Sequence, residues 1–223
     1  KEATVYCCAA DPSTGLDLAA AKIYRPRMFR GLKNDTQYRA GRAQLDADGH
    51  ELWRPRRQRG AVKLTDQGRA ARVSAWIAYE HQTQRLLYEA GADVPRPLAQ
   101  VGNAVLMEHI GDGEVSAPLL REVALEREEA APLFARILRN IELFLACERI
   151  HGDLSAYNIL YWEGEVRIID FAQAVDPRYS DDAYALLARD VARVCQYFAR
   201  YGVEADAAAR ADDLWARYRD GAL

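Results

Sequence analysis

A polar loop of eight residues, His-Gly-Asp-Leu-Ser-Ala-Tyr-Asn at 151–158, limits the folds that are open to this chain. Before it, apolar residues recur at helical spacing over Glu126–Glu148, which predicts a long amphipathic helix. After it, two short β-type runs flank Glu163-Gly164 and lead into Ile-Ile-Asp at 168–170, which predicts a tight hairpin over 159–169. The loop is therefore expected to join a helix to a hairpin, with Asp170 at the end of the hairpin.

The residue types at three of these positions favour phosphoryl transfer. Asp153 can orient or deprotonate a hydroxyl nucleophile, and Asn158, five residues later, can bind Mg²⁺ through its side-chain oxygen. Asp170 can hold the same ion, because Mg²⁺ prefers hard oxygen ligands. Phosphoryl transfer requires positioning and charge neutralisation more than covalent chemistry from the protein. The structural alternative is a polar loop that caps a helix, with Asp153 as the capping residue.

A lysine at position 22 stands out because the chain has 30 basic residues and only four of them are lysines. Lys22 follows three alanines in a predicted strand over Leu16–Tyr24, where an ammonium is costly unless it is paired with negative charge. ATP phosphates and a carboxylate would supply that charge. Glu80, in the middle of a predicted helix over Arg69–Ala90, is the expected partner, and Glu89 near the helix end is the competitor. The alternative is an edge-strand lysine that points to solvent.

The remaining pattern predicts an α+β fold with two lobes that meet near Ile110–Gly113. The first lobe, 1–110, is expected to contain a hairpin, a helix and a second hairpin, at Ala3–Ala9 with Leu16–Tyr24, Arg69–Ala90, and Leu98–Val101 with Ala104–Glu108. The second lobe, 111–223, is expected to be mainly helical and to end in helices over Asp181–Tyr201 and Glu204–Arg219. A cleft between two such lobes is a usual place for a ligand.

Charge is concentrated in one stretch. Residues 22–72 carry 14 Lys and Arg against five acids, whereas the whole chain has a net charge of −3. Within it, residues 26–68 are expected to be an irregular, flexible insertion, with a helical piece near Asp35–Arg42. A basic stretch in an acidic protein predicts an anionic partner such as RNA or a ribosomal particle. A solvated arginine-rich loop without a partner is the other interpretation.

Other features exclude several classes of protein. No apolar run is long enough for a transmembrane helix, and no signal peptide is recognisable, so we expect no membrane association and a cytoplasmic location. The four cysteines, at positions 7, 8, 147 and 195, lack the CxxC spacing of zinc sites. We expect them to be buried free thiols.

Several motifs, in order along nearly the whole chain, resemble the RIO family of atypical serine kinases. They are Lys-Glu-Ala-Thr-Val-Tyr at 1–6, Ala-Lys-Ile-Tyr-Arg at 21–25, Leu-Met-Glu-His-Ile-Gly at 106–111, Ala-Pro-Leu-Leu at 117–120, the loop and its continuation at 151–161, and Ile-Ile-Asp-Phe-Ala-Gln-Ala-Val at 168–175. The arginine-rich composition and small size suggest a bacterial member.

The resemblance implies a trimmed, bilobal protein-kinase-like fold with a small β-rich N-lobe and a mainly helical C-lobe. It also implies that the conventional activation segment and peptide-binding helices are absent. The implied activity is ATP- and Mg²⁺- (or Mn²⁺-) dependent transfer to serine, by autophosphorylation or on a protein substrate, or ATP hydrolysis.

By motif match, Lys22 would hold the α- and β-phosphates and would pair with Glu80. Met107, Glu108 and Ile110 would line the adenine pocket.

The same match makes Asp153 the catalytic aspartate and makes Asn158 and Asp170 the metal ligands. Because the metal-binding aspartate of some relatives is transiently phosphorylated, Asp170 is also a candidate for covalent chemistry. The segment between Lys22 and Glu80 falls where the family carries a flexible loop that takes part in substrate phosphorylation or self-phosphorylation, so Thr36, Thr65 and Ser74 are candidate phosphoacceptors. The family's phosphate-covering loop begins before Lys1, so its first residues and the strand ahead of it are missing from this sequence.

Two other functions stay open at this point. Small-molecule phosphotransferases of aminoglycoside-kinase type share the His-Gly-Asp-Leu…Asn loop and the later Ile-Asp. A nucleotide-gated module that binds RNA or a ribosomal particle through residues 22–72 is the non-enzymatic alternative.

Overall fold

The computed structural model describes residues 3–25, 44–45, 51–52 and 66–223. Its first half is built on a four-stranded antiparallel sheet with the strand order β1-β2-β6-β5. In chain order, the elements of this half are β1 (Ala3–Ala9), β2 (Leu18–Tyr24), β3 (Gln44–Leu45), β4 (Glu51–Leu52), helix α1 (Asp66–Glu89), β5 (Pro97–Val101) and β6 (Ala104–Glu108). The two predicted hairpins, β1 with β2 and β5 with β6, are therefore confirmed. The pairing of β2 with β6 connects them into one sheet.

The turn between β1 and β2 is longer than the sequence suggested. The Asp11 carboxylate accepts a hydrogen bond from the Ser13 backbone N–H at 2.9 Å, which fixes a short 3₁₀ turn over Pro12–Thr14. Gly15 then reverses the chain in the left-handed conformation that glycine tolerates. As a result, β2 begins at Leu18 rather than at the predicted Leu16.

Helix α1 packs against one face of the sheet. Val73 and Ile77 from the helix form a buried cluster with Tyr24 and Val105 from the strands. The helix begins three residues before its predicted start. The short ladder between β3 and β4 contradicts the prediction that the whole insertion is irregular, and the helical piece near Asp35–Arg42 lies outside the described residues.

The second half of the chain is mainly helical. In chain order, its elements are β7 (Gly111–Asp112), β8 (Val115–Ser116), α2 (Arg127–Ala146), β9 (Ile159–Trp162), β10 (Glu165–Ile168), α3 (Ala183–Ala199) and α4 (Ala207–Arg219). The predicted helices and the hairpin at Glu163-Gly164 are confirmed, with ends shifted by one to three residues. The two-residue ladder of β7 with β8 was not predicted.

The core of this half forms around α2, which has an apolar residue on every turn of its buried face. Ile137, Phe144 and Leu145 of α2 pack with Val166 of the hairpin and Val191 of α3. The same cluster reaches into the first half through Leu87 and Val94. The core of the second half therefore includes the end of α1 and the segment after it, whereas the cluster between α1 and the sheet is separate.

A polar latch also connects the halves. Asp93, between α1 and β5, receives two hydrogen bonds from the Arg136 guanidinium at 2.7 and 2.8 Å and one from the Asn140 amide at 2.7 Å. Its carbonyl accepts from the Ile168 N–H at 2.7 Å. Burial opposes ionisation of Asp93, but the bonds from Arg136 and Asn140 outweigh burial and lower its pKa.

The four cysteines are free thiols, as expected, but only Cys195 is buried. Cys7, Cys8 and Cys147 are half-buried, because two of them lie in β1 at the edge of the sheet and the third lies at the C-terminal cap of α2. Across the described parts of the chain, every helix is too short or too polar to cross a bilayer.

Candidate nucleotide and phosphoryl-transfer site

Lys22 lies on the central strand β2, opposite Val5 of β1 and Val105 of β6. Its Nζ atom is 2.6 Å from Glu80 Oε1 and 2.7 Å from Asp170 Oδ1. One ammonium therefore joins the sheet, helix α1 and the second half of the molecule, although Asp170 is 148 residues away in sequence.

Glu80 is the carboxylate of α1 that reaches Lys22. It is buried, and the Tyr24 hydroxyl donates a hydrogen bond to its second oxygen, Oε2. The competitor Glu89 lies near the exposed end of the helix, 3.6 Å from Arg85. The structure contains the expected ion pair of Lys22 with Glu80 and not a pair with Glu89.

The charges of this cluster support one another. Burial lowers the pKa of Lys22, but the negative charges of Glu80 and Asp170 more than offset burial, so its pKa is raised. Burial likewise opposes ionisation of Asp170, and the Lys22 ammonium reverses this and lowers the pKa of that carboxyl. At neutral pH the cluster is thus an ammonium held between carboxylates, which is stable only while all members are present.

Asp170 has a strained backbone. Its φ of +69° is in the left-handed region, which costs a non-glycine residue about 1–3 kcal/mol and is common at functional sites. The segment that follows it is tied to α1, since Trp76 Nε1 donates to the Ala172 carbonyl at 3.0 Å. Asp170 is therefore held by Lys22 at its side chain and by Trp76 through the backbone that follows it.

Asp190 of α3 anchors the loop at 151–158, which we call the catalytic loop after its proposed role. Its carboxylate accepts hydrogen bonds from the Gly152 N–H at 2.7 Å and from the Leu154 N–H at 2.9 Å. Burial raises the pKa of Asp190. The sequence analysis missed this residue, although an acid on the apolar face of a predicted helix was a signal that could have found it.

Gly152 is required where it stands. Its φ is +77°, and a Cβ atom there would lie 2.6 Å from the Gln173 carbonyl oxygen. Next to it, His151 Nε2 lies 3.1 Å from the Ile169 carbonyl. The loop packs so closely against the segment that follows Asp170 that position 152 has no room for a side chain.

Asp153 and Asn158 lie in the same loop. Asn158 Nδ2 donates to the Asp153 carbonyl at 2.8 Å. The Ile169 N–H donates to the Asn158 carbonyl at 3.0 Å, and this bond places Asn158 next to the residue that precedes Asp170. The Asp153 carboxylate faces away from this bond and pairs with Arg193 Nη1 at 2.7 Å. Arg193, on α3, was also missed by the sequence analysis.

The residues expected at the adenine pocket lie at the end of β6 and just beyond it. Met107 is opposite Ala20 of β2, and its sulfur is 3.7 Å from Gln84 Nε2. The Glu108 N–H donates to the Arg96 carbonyl at 2.8 Å, and the Ile110 carbonyl accepts from the Ala117 N–H at 2.8 Å. The Glu108 N–H and the Ile110 carbonyl therefore already have hydrogen-bonding partners within the protein.

The candidate phosphoacceptors are less well defined. Ser74 is exposed on α1, whereas Thr36 and Thr65 lie outside the described residues.

In the part of the chain that the structure describes, three or more His, Cys, Asp or Glu residues are nowhere grouped as a metal site.

Comparison with known proteins identifies the family. The RIO domain profile matches residues 19–211. The chain is 30% identical over 189 residues to the RIO-type serine/threonine-protein kinase Rio1 of Haloferax volcanii, covering 84% of this chain and 57% of the relative. It is 30% identical over 134 residues to Rio1 of Thermoplasma acidophilum, with coverage of 60% and 69%. Against serine/threonine-protein kinase RIO1 of Caenorhabditis elegans, it is 32% identical over 134 residues, with coverage of 59% and 26%.

The fold is that of a kinase. The crystal structure of the Rio2 kinase–ADP/Mg²⁺–phosphoaspartate complex from Chaetomium thermophilum matches with a TM-score of 0.61 at 22% identity, covering 92% of this chain and 55% of that one. The chain spans 26% and 57% of the length of the worm and Haloferax relatives. The kinase-like α+β fold is thus confirmed, and the chain belongs to the family of proteins that carry a RIO domain.

Proposed function

We propose that this chain binds ATP and Mg²⁺ and transfers the γ-phosphoryl group to a serine hydroxyl, on itself or on another protein, or to water. The observation that carries this proposal is the contact of Lys22 with both Glu80 and Asp170, within the same cleft as the loop of Asp153 and Asn158. The RIO-type kinases to which the chain is similar support the same activity.

Lys22 would bind the α- and β-phosphates, since its ammonium is fixed in place before the nucleotide arrives. Glu80 would keep the ammonium oriented, and Met107, Glu108 and Ile110 would contact the adenine. A preorganised charge of this kind stabilises developing negative charge without reorganisation during the reaction.

Asn158 and Asp170 fit a magnesium site. Asn158 uses its side-chain nitrogen to bond the Asp153 carbonyl, so its oxygen remains as a ligand, and Asp170 is 44% exposed and supplies a carboxylate. A pair of protein ligands is enough, because Mg²⁺ in such sites takes further ligands from phosphates and water. When bound, Mg²⁺ (or Mn²⁺ as the alternative) would neutralise charge on the phosphates.

Asp153 would orient the acceptor hydroxyl and receive its proton, since its carboxylate is on the open side of the loop. Asp170 would be the residue to carry a transient phosphoryl group, as the Rio2 phosphoaspartate complex suggests. We assign nucleotide binding to a lobe of residues 1–110 and acceptor binding to 111–223, in a cytoplasmic protein.

The test is incubation with γ-labelled ATP, alone and with cell extract, of the wild type, Asp153→Ala and Asp170→Ala. We expect labelled serine or released phosphate from the wild type and from neither variant, while Mg·ATP still raises the melting temperature of Asp153→Ala. Equal activity of all three proteins would refute the assignment. Turnover that requires an aminoglycoside, choline or an amino alcohol would instead identify a small-molecule phosphotransferase.

A further inference from the structure

Three arginines, Arg121, Arg193 and Arg200, belong to segments that contact the loop at 151–158 or one another. We call this surface the arginine rim and define it as Arg121, Arg193 and Arg200 together with Tyr157 and Tyr197. Its members come from three separate segments: the turn before α2, the catalytic loop, and α3 with its C-cap.

Arg193 is the member closest to the chemistry. Its Nη1 atom is 2.7 Å from Asp153 Oδ1, and among the described residues this carboxylate is its hydrogen-bonding partner. A guanidinium has five N–H donors in a planar fork, so one bond to Asp153 leaves others for a second acidic group. Arg193 is therefore placed to bind a ligand that lies directly beside Asp153.

Tyr197 and Arg200 extend the surface along α3. Tyr197 is four residues after Arg193 and so lies on the same face of the helix, one turn further on. Its hydroxyl donates to the Leu120 carbonyl at 2.6 Å, and the Arg200 guanidinium lies 4.0 Å from the centre of its ring. These contacts hold Arg200, which is exposed, against the same turn that carries Arg121.

Arg121 and Tyr157 close the rim on the side of the loop. The Arg121 guanidinium lies 4.1 Å from the centre of the Tyr157 ring, and the backbone N–H of Arg121 donates to the Ala156 carbonyl at 3.1 Å. Both side chains are exposed. Stacking on an aromatic face orients a guanidinium while its edge N–H groups stay available for a ligand.

The rim keeps an excess of positive charge. Asp153 is shared with Arg193, and Glu122, beside Arg121, accepts a hydrogen bond from the Leu119 N–H at 3.2 Å. Three guanidiniums thus face two carboxylates, one of which must turn toward a neutral hydroxyl during transfer.

We propose that the arginine rim binds acidic side chains of the protein segment that presents the acceptor serine, so that the substrates are serines with aspartate or glutamate nearby. This inference rests on the proposed function. In the transfer, the serine Oγ forms a bond to Pγ, the bond from Pγ to the bridging oxygen of ADP breaks, ADP leaves, and the hydroxyl proton passes to the Asp153 carboxylate. An acidic neighbour of the serine would engage the free edge of Arg193 and bring the hydroxyl to Asp153.

A carboxylate suits this surface better than the backbone of a nucleic acid. Guanidiniums bind both carboxylates and phosphates in a two-point fork, but these three arginines form a patch of a few residues rather than the continuous basic stripe that is typical of nucleic-acid binding. Under the proposed function, a serine peptide also carries the hydroxyl that accepts the phosphoryl group.

The test compares three peptides of equal length with one central serine, flanked by Asp/Glu, by Gln/Asn or by Lys. With the wild type we expect kcat/KM for the acidic peptide to exceed that for the lysine peptide at least tenfold. In the double variant Arg121→Glu/Arg200→Glu we expect this preference to disappear or invert. The control Arg139→Glu makes one such arginine-to-glutamate exchange, half the charge change of the double variant, at an exposed arginine in the groove between α2 and α4, and should keep the preference.

The outcomes separate the two proposals. ATP hydrolysis or autophosphorylation with no preference among the peptides overturns the inference alone. Loss of the preference in Arg139→Glu as well overturns the assignment to the rim. RNA that binds the wild type but not the double variant, without any acidic-peptide preference, would assign the rim to RNA. Absence of hydrolysis, autophosphorylation and peptide transfer refutes the proposed function itself.

Discussion

The proposed active site has a nucleotide side, with Lys22 and Glu80, and an acceptor side, with Asp153 and Arg193. The ion pairs on the two sides differ in their exposure to solvent. On the nucleotide side, the side chains of Lys22 and Glu80 are 11% and 3% exposed and 2.6 Å apart. On the acceptor side, the side chains of Asp153 and Arg193 are 50% and 39% exposed at almost the same separation. Distance alone would rank the two ion pairs as equals, but their solvent exposure does not.

Exposure decides what each pair can do. Breaking a buried pair by removing one partner costs about 3–5 kcal/mol, because a charge is left without compensation. An exposed pair contributes about 0–1 kcal/mol and is weakened by salt. The pair of Lys22 and Glu80 is therefore held firmly, while the pair of Asp153 and Arg193 can exchange partners. Under the proposed function, the first would be fixed before ATP binds and the second would open when a substrate arrives.

Replacing Lys22 with Met tests the fixed side and should have the largest effect. It removes the phosphate-binding charge and leaves Glu80 unpaired, so we expect phosphoryl transfer to fall by about 10²–10³-fold. Assays with γ-labelled ATP and melting curves measure the two consequences. In the matched pair Lys22→Arg and Lys63→Arg, only the first should lose ATP use, and equal activity of both would contradict the role of Lys22.

Asp190 connects the two sides, because it holds the loop that separates them. Asp190→Ala leaves the buried Gly152 and Leu154 N–H groups without an acceptor, at about 1–3 kcal/mol each. We expect a large fall in the free energy of unfolding in urea and a lower transfer rate. Asp212→Ala, which removes an acid paired to an exposed tyrosine, is the control and should change stability little. Similar losses in both variants would disprove the anchoring role.

Asp93 provides the pH test of how the two halves are joined. Folding lowers its pKa, so its contribution is complete above the unfolded value near pH 4 and is lost as pH falls through the lower folded value. We expect Asp93→Asn to cost about 1–3 kcal/mol at pH 6, and we expect the difference from the wild type to stay constant down to about pH 4 and to shrink below it. Melting temperatures above and below this pH measure it, and a difference that does not shrink would argue against the latch.

The smallest effect is expected where the acceptor side is disturbed. Arg193→Gln should change the free energy of unfolding by less than about 1 kcal/mol, and 0.5 M NaCl should remove the difference. Urea titrations at low and high salt measure this. A loss of unfolding free energy as large as that of Lys22→Met would show that the two ion pairs contribute equally to stability, contrary to their difference in exposure.

Local signals in the sequence account for the parts of the site that were predicted. The strand around Lys22, the helix with Glu80 in its middle, and the loop from Asp153 to Asn158 each have a periodicity or turn chemistry that acts over a few residues. Asp190 and Arg193 were missed because neither belongs to a recognised motif, and their partners, Gly152 and Asp153, lie 38 and 40 residues earlier. No spacing rule links such positions.

The amino-acid sequence by itself determined the order of the elements and the pairing of the hairpins, because these follow from alternation, helical spacing and turn residues. Its motifs also indicated the candidate site residues, through their resemblance to the RIO family. Only the tertiary structure decided which charges meet. It gave Lys22 two carboxylates, gave Asp153 a guanidinium, and set one pair in the interior and the other in solvent. The physical reason is that burial, which sets the strength of a charge pair, belongs to the packed molecule and not to any segment of it.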